Sequence, residues 1–264
     1  MRIASLGHAV FAASLVALGI AVLVQGSSAP AWLGIPMYLP ARELLAYLCA
    51  VITLACGIGL WWRRAALVAA RVLLVYCVLS LLLFSLPRAL PAPAQLGAWY
   101  PCAETAVMLA AAWVLYVWFA ADWDRQRLGF VAGAKGMRMA RVLYGLALMF
   151  FGSSHFVYVN LTTPLVPGWL PAHLFWAYFF GCTYIAAGAA LIIGVFARLA
   201  AALVTLQMGM FALLVWVPML AAGHLHSVTG SSWRELVVTW TLMACGWVLA
   251  DSYHDIPWLA LKQR

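Results

Sequence analysis

Apolar segments about 20 residues long follow one another along nearly the whole chain, and they constrain its fold more than any other feature. A helix needs about 20 apolar residues to cross the hydrocarbon core of a bilayer. Only 8% of the 264 residues are charged, against about a quarter in soluble domains, which excludes a water-soluble globular protein. We therefore predict an all-α polytopic membrane protein with eight transmembrane helices. The predicted spans are 3–24, 43–60, 65–86, 99–120, 142–159, 173–196, 199–220 and 233–250.

Basic residues are distributed unevenly over the alternating loops between these spans. With a cytoplasmic N-terminus, twelve of the fifteen Lys and Arg residues lie on the inner side, and only Arg42, Arg88 and Arg234 lie outside. Cytoplasmic loops of membrane proteins carry this excess. We expect a multi-pass protein of the cell inner membrane with both termini in the cytoplasm. The formal net charge of +8 then reflects orientation in the lipid bilayer rather than a nucleic-acid partner.

The two halves of the sequence repeat one pattern at a spacing of 131 to 137 residues. Because each repeat would hold four helices, an even number, both repeats cross the membrane in the same orientation. We predict two tandem four-helix bundles, 1–121 and 142–252, joined by a basic cytoplasmic linker at 122–141 and followed by a cytoplasmic tail at 253–264. The glycines of the linker favour a flexible middle. The matching pairs are Gly19 with Gly152, Trp32 with Trp169, Arg64 with Arg198, Pro87 with Pro218, and Glu104 with Glu235.

Four motifs of the second half resemble the DoxX family of small four-helix membrane proteins: 152–156 (GSSHF), 166–171 (VPGWLP), 175–178 (FWAY) and 185–191 (IAAGAAL). The first half looks like a more diverged copy. Some DoxX proteins are membrane components of thiosulfate:quinone oxidoreductase or are associated with other redox systems, so the resemblance implies a redox role. The chain departs from many relatives at Tyr184, where they carry a histidine or an acidic residue.

Titratable and aromatic residues concentrate at the predicted outer end of the second bundle. His155 lies inside an apolar segment, and intramembrane ionisable groups are functional candidates by default. A structural hydrogen bond is an equally open interpretation, because a buried polar group needs a partner. Glu104, one turn into the fourth helix, is interpreted as a protonated or hydrogen-bonded carboxyl facing the bundle. The candidate residues of a quinone-binding pocket are His155, Tyr158, Trp169, His173, Tyr184 and Glu235.

Metal and cofactor motifs are weak or missing in the sequence. His224 and His226 are compatible with zinc or copper ligation, although solvated loop histidines have the same pattern. The six cysteines form no Cys-x-x-Cys motif, and buried free cysteines behave as small apolar residues. No flavin, nucleotide or iron–sulfur motif is present. Any electrons would therefore come from a redox partner protein or another membrane subunit.

Two functions of different classes remain open at this point. The first is an integral membrane subunit of a redox assembly with a quinone as its possible ligand. His155 and its neighbours would then form hydrogen bonds with the carbonyl oxygens of the quinone ring. The second is a non-catalytic scaffold, a binding protein or a small-solute transporter. The spans contain no chain of charges through the bilayer centre, which disfavours an ion-coupled transporter. Whether the protein is an enzyme stays open.

Overall fold

Eight long helices dominate the computed structural model, which describes residues 5–25, 41–224, 226–227 and 230–261. Two-residue strands β1 (His226–Ser227) and β2 (Gly230–Ser231) form one antiparallel pair. The α-helices are α1 (Leu6–Gln25), α2 (Arg42–Trp61), α3 (Ala66–Ser80), α4 (Leu86–Ala89), α5 (Tyr100–Phe119), α6 (Asp122–Arg127), α7 (Gly129–Ala132), α8 (Ala134–Val157), α9 (Val159–Thr162), α10 (His173–Ile193), α11 (Ala197–Phe211), α12 (Val217–Ala221) and α13 (Ser232–Asp251).

Seven helical stretches of the described residues are long and apolar enough to cross a membrane. They correspond in order to the first seven predicted spans, so the prediction of an all-helical, multi-pass protein is confirmed at this level. The eighth predicted span is helix α13, which is equally long but is not among the seven. It carries Arg234 and Glu235 in its first turn and ends at Asp251. Its neighbours are α1, α5 and α11, so protein rather than lipid surrounds much of it.

The segment predicted as a flexible linker is largely helical. Helices α6 and α7 occupy its first part, and α8 begins at Ala134, eight residues before the expected start at Val142. The sequence from Ala134 onward is rich in Ala, Met, Lys and Arg, which are good helix formers. The indole of Trp113 donates a hydrogen bond of 2.9 Å to the Val131 carbonyl. The linker is therefore mostly helical rather than irregular, and it packs against α5.

Close helix packing occurs at matching positions of the two halves. Gly57 of α2 lies against Ala12 of α1, and Gly188 of α10 lies against Gly145 of α8. The positions in α2 and α10 are 131 residues apart, and those in α1 and α8 are 133 apart. A Cβ atom added at Gly57 or Gly188 would lie 2.8 or 2.5 Å from the facing carbonyl oxygen. Small residues at these positions let the helix backbones approach closely, as they do in membrane helix pairs.

Matching π-helical turns interrupt the third long helix of each half. Leu81–Ser85 joins α3 to α4, and Ala212–Trp216 joins α11 to α12, again 131 residues apart. Each turn is followed by a proline, Pro87 or Pro218. Proline lacks an N–H group and its ring clashes with the carbonyl four residues earlier in a regular helix. A wider π turn just before the proline accommodates this local break in the hydrogen-bond pattern.

The last residue of each π turn is tied to the following long helix. Ser85 shares a 3.0 Å hydrogen bond with the Thr105 hydroxyl of α5. The Trp216 indole donates a 3.0 Å hydrogen bond to the Thr239 hydroxyl of α13. Both halves therefore fix the π turn to their fourth long helix through a threonine.

The eight long helices pack as one closed ring in the order α1, α2, α3, α5, α8, α10, α11 and α13. Helix α13 returns to α1, and α5 and α13 also contact each other. The fourth long helix of each half therefore packs on the first long helix of the other half, which differs from the expected pair of separate bundles. The physical reason lies in α5, whose Ala103, Ala106 and 110–112 are small and buried. Such a helix can be enclosed by neighbours on several sides.

Asp124 forms a buried polar network at the end of the helices that the sequence predicts to be cytoplasmic. Arg71 donates a 2.5 Å hydrogen bond to its carboxylate, the Tyr116 hydroxyl donates one of 3.1 Å, and the Ala121 N–H donates another of 3.1 Å. Burial alone would raise the pKa of Asp124, but these three donors outweigh it and hold the pKa below its ordinary value. The linker is thus fixed to α3 and α5.

Candidate functional site

A cavity of about 540 Å³ lies at the predicted outer end of the helices. Its walls come from α5, α8, the turn at 162–170, α10, α11, the second π turn and α13. Aromatic and aliphatic side chains form most of the lining. The lining residues with polar atoms are Tyr100, Glu104, Ser154, His155, Thr162, Trp169, Trp176, Tyr184, Gln207, Trp216, Glu235 and Thr239.

Four of the six predicted binding residues line this cavity: His155, Trp169, Tyr184 and Glu235. Tyr158 and His173 are not among the lining residues. The Tyr158 hydroxyl instead accepts a 2.7 Å hydrogen bond from the Gly97 N–H, next to the start of α5. His173 begins α10, directly after the left-handed backbone of Ala172.

The predicted metal ligands do not come together in the described residues. His224 is exposed after α12, and only the backbone of His226, in β1, is described. No group of three or more His, Cys, Asp or Glu side chains is arranged to hold a metal ion within the described part of the chain. The predicted pairing of Trp32 with Trp169 lies outside the described residues.

His155 is held by the backbone of its own helix. Its Nδ1 atom lies 2.9 Å from the Phe151 carbonyl oxygen. The Ser154 hydroxyl donates a 2.6 Å hydrogen bond to the same oxygen, and the Tyr100 hydroxyl donates one of 2.5 Å to Ser154. This network joins α5 to α8 and orients the imidazole toward the aromatic ring of Tyr184, whose centre is 5.5 Å away.

Gln207 connects α10 and α11 where α11 first reaches the cavity. Its Oε1 accepts a 2.7 Å hydrogen bond from the Thr183 hydroxyl, and its Nε2 donates to the Phe180 carbonyl at 3.4 Å. Its side chain also hydrogen-bonds with Tyr184. The two helices are therefore joined at this level, whereas beyond it the cavity lies between them.

Two carboxylates from matching positions of the halves reach the same cavity. Glu104 comes from α5 and Glu235 from α13, the two helices that meet across the ring. Arg234 Nη1 lies 3.9 Å from the Glu235 carboxylate. Glu104 lies within electrostatic range of Glu235, Arg234 and Arg88. The two basic side chains offset the repulsion between the carboxylates and keep them on one wall.

The cavity lining includes partly exposed residues. Met210 and Leu214 line it and are 43% and 41% exposed. Trp169, in the turn that precedes α10, also lines it and is 70% exposed. The helices therefore do not enclose the cavity fully.

Sequence reasoning did not place Tyr100, Gln207 and Trp216 in the site, and it identified Glu104 without assigning it to this pocket. Tyr100 and Glu104 belong to the first half and reach the cavity because α5 packs on α8. The match of Glu104 with Glu235 was the one signal that could have connected them. Comparisons with protein families, with characterised proteins and with solved structures found no match to this chain.

Proposed function

We propose that this chain binds a lipid-soluble ligand of the quinone class in the cavity between α8, α10, α11 and α13, as a membrane subunit of a redox assembly. The observation that carries the proposal is a cavity of about 540 Å³ with an apolar, aromatic lining and a few polar groups at its wall. Ligand sites of small molecules have this composition and a volume of roughly 300 to 1,000 Å³. A substituted quinone ring needs an apolar pocket with a few hydrogen-bonding groups.

Access from the bilayer supports a ligand with an apolar tail. Met210 and Leu214 line the cavity and are partly exposed, and we place their exposed surface against lipid between α10 and α11. A ring seated near His155 and Tyr184 could extend its tail between α10 and α11. A water-soluble substrate would not enter the cavity from the lipid phase.

The redox role rests on the resemblance of the second half to DoxX proteins and on the chemistry of the wall. Histidine and carboxylate side chains are suitable proton carriers near neutral pH. His155, Glu104 and Glu235 supply both kinds of group. Because the sequence holds no dinucleotide or Cys-x-x-Cys motif, the electrons come from a separate redox partner.

We further propose that α13 is an eighth membrane span and that the chain is a tandem duplication. The matching glycine contacts, the matching π turns and the equivalent ring order support the duplication. The distribution of basic residues supports an inner-membrane location with both termini in the cytoplasm. Reporter fusions after Arg264 and between α6 and α7 should both give a cytoplasmic signal. A periplasmic signal at either place contradicts this topology.

Calorimetric titration of the detergent-purified chain with a short-chain ubiquinone analogue, used without oxygen in its quinone and in its quinol form, tests the binding function. We expect saturable binding of at least one form by the wild type, and a loss of at least about tenfold in the affinity of the tighter-binding form for His155→Phe, which keeps the ring shape but removes the nitrogens. The matched control is His8→Phe, because His8 lies in α1 at the opposite end of the helices. It should bind like the wild type. Absence of binding by the folded wild type contradicts the proposal.

A further inference from the structure

The hydrogen bonds around the Phe151 carbonyl determine which atoms of the cavity wall can accept a hydrogen bond. A carbonyl oxygen only accepts, so the Nδ1 atom of His155, 2.9 Å away, must carry the hydrogen. In the uncharged ring the other nitrogen, Nε2, then has a lone pair and no hydrogen. The backbone thereby selects one tautomer of this imidazole.

The Nε2 atom is available to a ligand. It makes no hydrogen bond with any residue that the structure describes, and it is not among the fully enclosed side-chain atoms without a partner. Because His155 lines the cavity, this accessible nitrogen borders open space. A ligand that donates a hydrogen bond is its natural complement.

The neighbouring polar groups of this wall also accept. The Tyr100 hydroxyl hydrogen is directed to Ser154, and the Ser154 hydroxyl hydrogen is directed to Phe151. Tyr100 therefore offers only its oxygen lone pair to a ligand. Glu104 and Glu235 accept as well when they are ionised. Tyr100 by the direction of its hydrogen bond, and the two carboxylates by their charge, therefore offer acceptors beside His155 Nε2.

Three donors of the lining are committed to protein partners. The Trp176 indole donates to the Pro171 carbonyl at 3.0 Å, and the Trp216 indole donates to Thr239. Gln207 Nε2 donates to the Phe180 carbonyl. A quinone offers only carbonyl acceptors, whereas its two-electron-reduced form, the quinol, offers two hydroxyl donors. The lone pair of His155 Nε2 matches the quinol donors.

From this directionality we infer that the cavity selects the quinol form of the ring ligand over the quinone, through an O–H donated to His155 Nε2. The inference rests on the proposed function and adds the redox form of the ligand to it. When a quinone carbonyl oxygen faces His155 Nε2, neither of these buried acceptors has a donor. Their desolvation then costs more free energy than the simple loss of one favourable hydrogen bond. The selection is therefore expected to come mainly from rejection of the quinone.

Three probes with the same substituted ring distinguish the effect of the hydroxyl donor on affinity from the effect of ring size. They are tetramethylhydroquinone, tetramethylbenzoquinone and the dimethyl ether of the hydroquinone. Calorimetric titrations of the purified full chain are carried out without oxygen at pH 8, where a histidine of ordinary pKa is uncharged. We expect the hydroquinone to bind about tenfold or more tightly than the other two, as one unpaired buried group predicts. Equal affinities for all three probes overturn the inference but leave the proposed binding function intact.

His155→Phe assigns the selection to the imidazole. We expect this variant to lose the preference, with its affinities for the hydroquinone and the quinone within about threefold of each other. A preference that persists in the variant overturns the inference. Should His155→Phe fail to fold, His155→Val serves, since Val22 occupies the matching position in α1. No binding of any probe by the wild type contradicts the proposed function itself.

Discussion

The two halves share their helix packing but differ in the side chains at the predicted outer end. In the second half, His155, Tyr184, Gln207 and Trp216 line the cavity. The first half has Val22, Thr53, Tyr76 and Ser85 at the matching positions, and all four are buried. Helix contacts that depend on glycine, and the π turns, occur at matching positions of both halves, whereas the residues that line the space between the helices differ. The scaffold and the chemistry of a repeat can therefore change independently.

The opposite end reverses this contrast. There Asp124 is buried in the first half, with only 1% of its side chain exposed, in the network with Arg71 and Tyr116. Its match in the second half, Asp255, is 86% exposed and pairs only with neighbouring His254. The first half thus has its specialised polar group where the linker docks. The second half has its specialised groups around the cavity.

Asp124→Asn should produce the largest difference between the halves. The change removes the buried charge that accepts hydrogen bonds from Arg71, Tyr116 and the Ala121 N–H, while Arg71, 41% exposed, stays solvated, so we expect a loss of about 2 kcal/mol in unfolding free energy. Asp255→Asn at the matching exposed position should change it by less than about 0.5 kcal/mol. Denaturation in mixed micelles, followed by circular dichroism, measures both. Similar effects of the two variants would show that burial does not distinguish the positions.

Gly57→Ala and Gly188→Ala should have large effects of similar size, because they change the shared scaffold. Each added methyl group meets a backbone carbonyl that cannot move alone, and overpacking of this kind costs about 2 kcal/mol. Gly129→Ala is the control, since no atom lies within 4 Å of its added Cβ. The same unfolding experiment applies. A response in only one half would break the equivalence of the two helix pairs.

Thr105→Val and Thr239→Val test the ties of the two π turns at a smaller scale. Each change removes a hydroxyl that is hydrogen-bonded to Ser85 or Trp216, and the expected loss is about 1 kcal/mol. Thr162→Val, in short helix α9, removes a hydroxyl bonded only within its own turn at 3.2 Å and should cost less. Thermal melting in detergent ranks the three variants. An unchanged Thr239→Val would mean that the Trp216 indole finds another acceptor.

Acidification should gradually remove the contribution of Asp124 to the unfolding free energy. Near neutral pH this is the smallest of the expected effects. The pKa of Asp124 is lowered in the folded state because the hydrogen bonds from Arg71, Ala121 and Tyr116 outweigh burial. Its stabilisation is therefore complete above the unfolded pKa of about 3.9 and is lost as the pH falls through the lower folded pKa. The difference between wild type and Asp124→Asn should be constant above about pH 5 and shrink below pH 4. A difference that grows on acidification would have the wrong sign.

The order and approximate limits of the long helices could be predicted because bilayer thickness imposes a length that is visible in the sequence. The predicted and observed helix limits differ where local backbone geometry ends or extends a helix. The span predicted to end at Phe196 stops at Ile193, where Gly194 takes a left-handed backbone, and α8 starts early because the helix-forming residues before Val142 are too polar to count as membrane span. The π turns were not predicted, although Pro87 and Pro218 marked their positions.

The site was predictable only where a residue stands out within its own segment. His155, Tyr184 and Glu235 are polar groups in apolar surroundings, and each lines the cavity. Tyr158 and His173 are equally polar, but Tyr158 follows the end of α8 and accepts a hydrogen bond from the Gly97 N–H, and His173 is the first residue of α10. Tyr100 and Gln207 could not be assigned, because their position depends on which helices meet across the ring. Hydrophobic periodicity contains no such information.

The contact between α1 and α13, where the Gly7 N–H donates a 3.0 Å hydrogen bond to Asp251, has a consequence for the history of the molecule. If the chain arose by the proposed duplication, a single-copy ancestor would have closed the same ring as a symmetric dimer, with two identical chambers. In such a homodimer every substitution appears twice. Fusion into one polypeptide removes that constraint, so a cavity-lining residue of one repeat can change while its match in the other repeat stays the same.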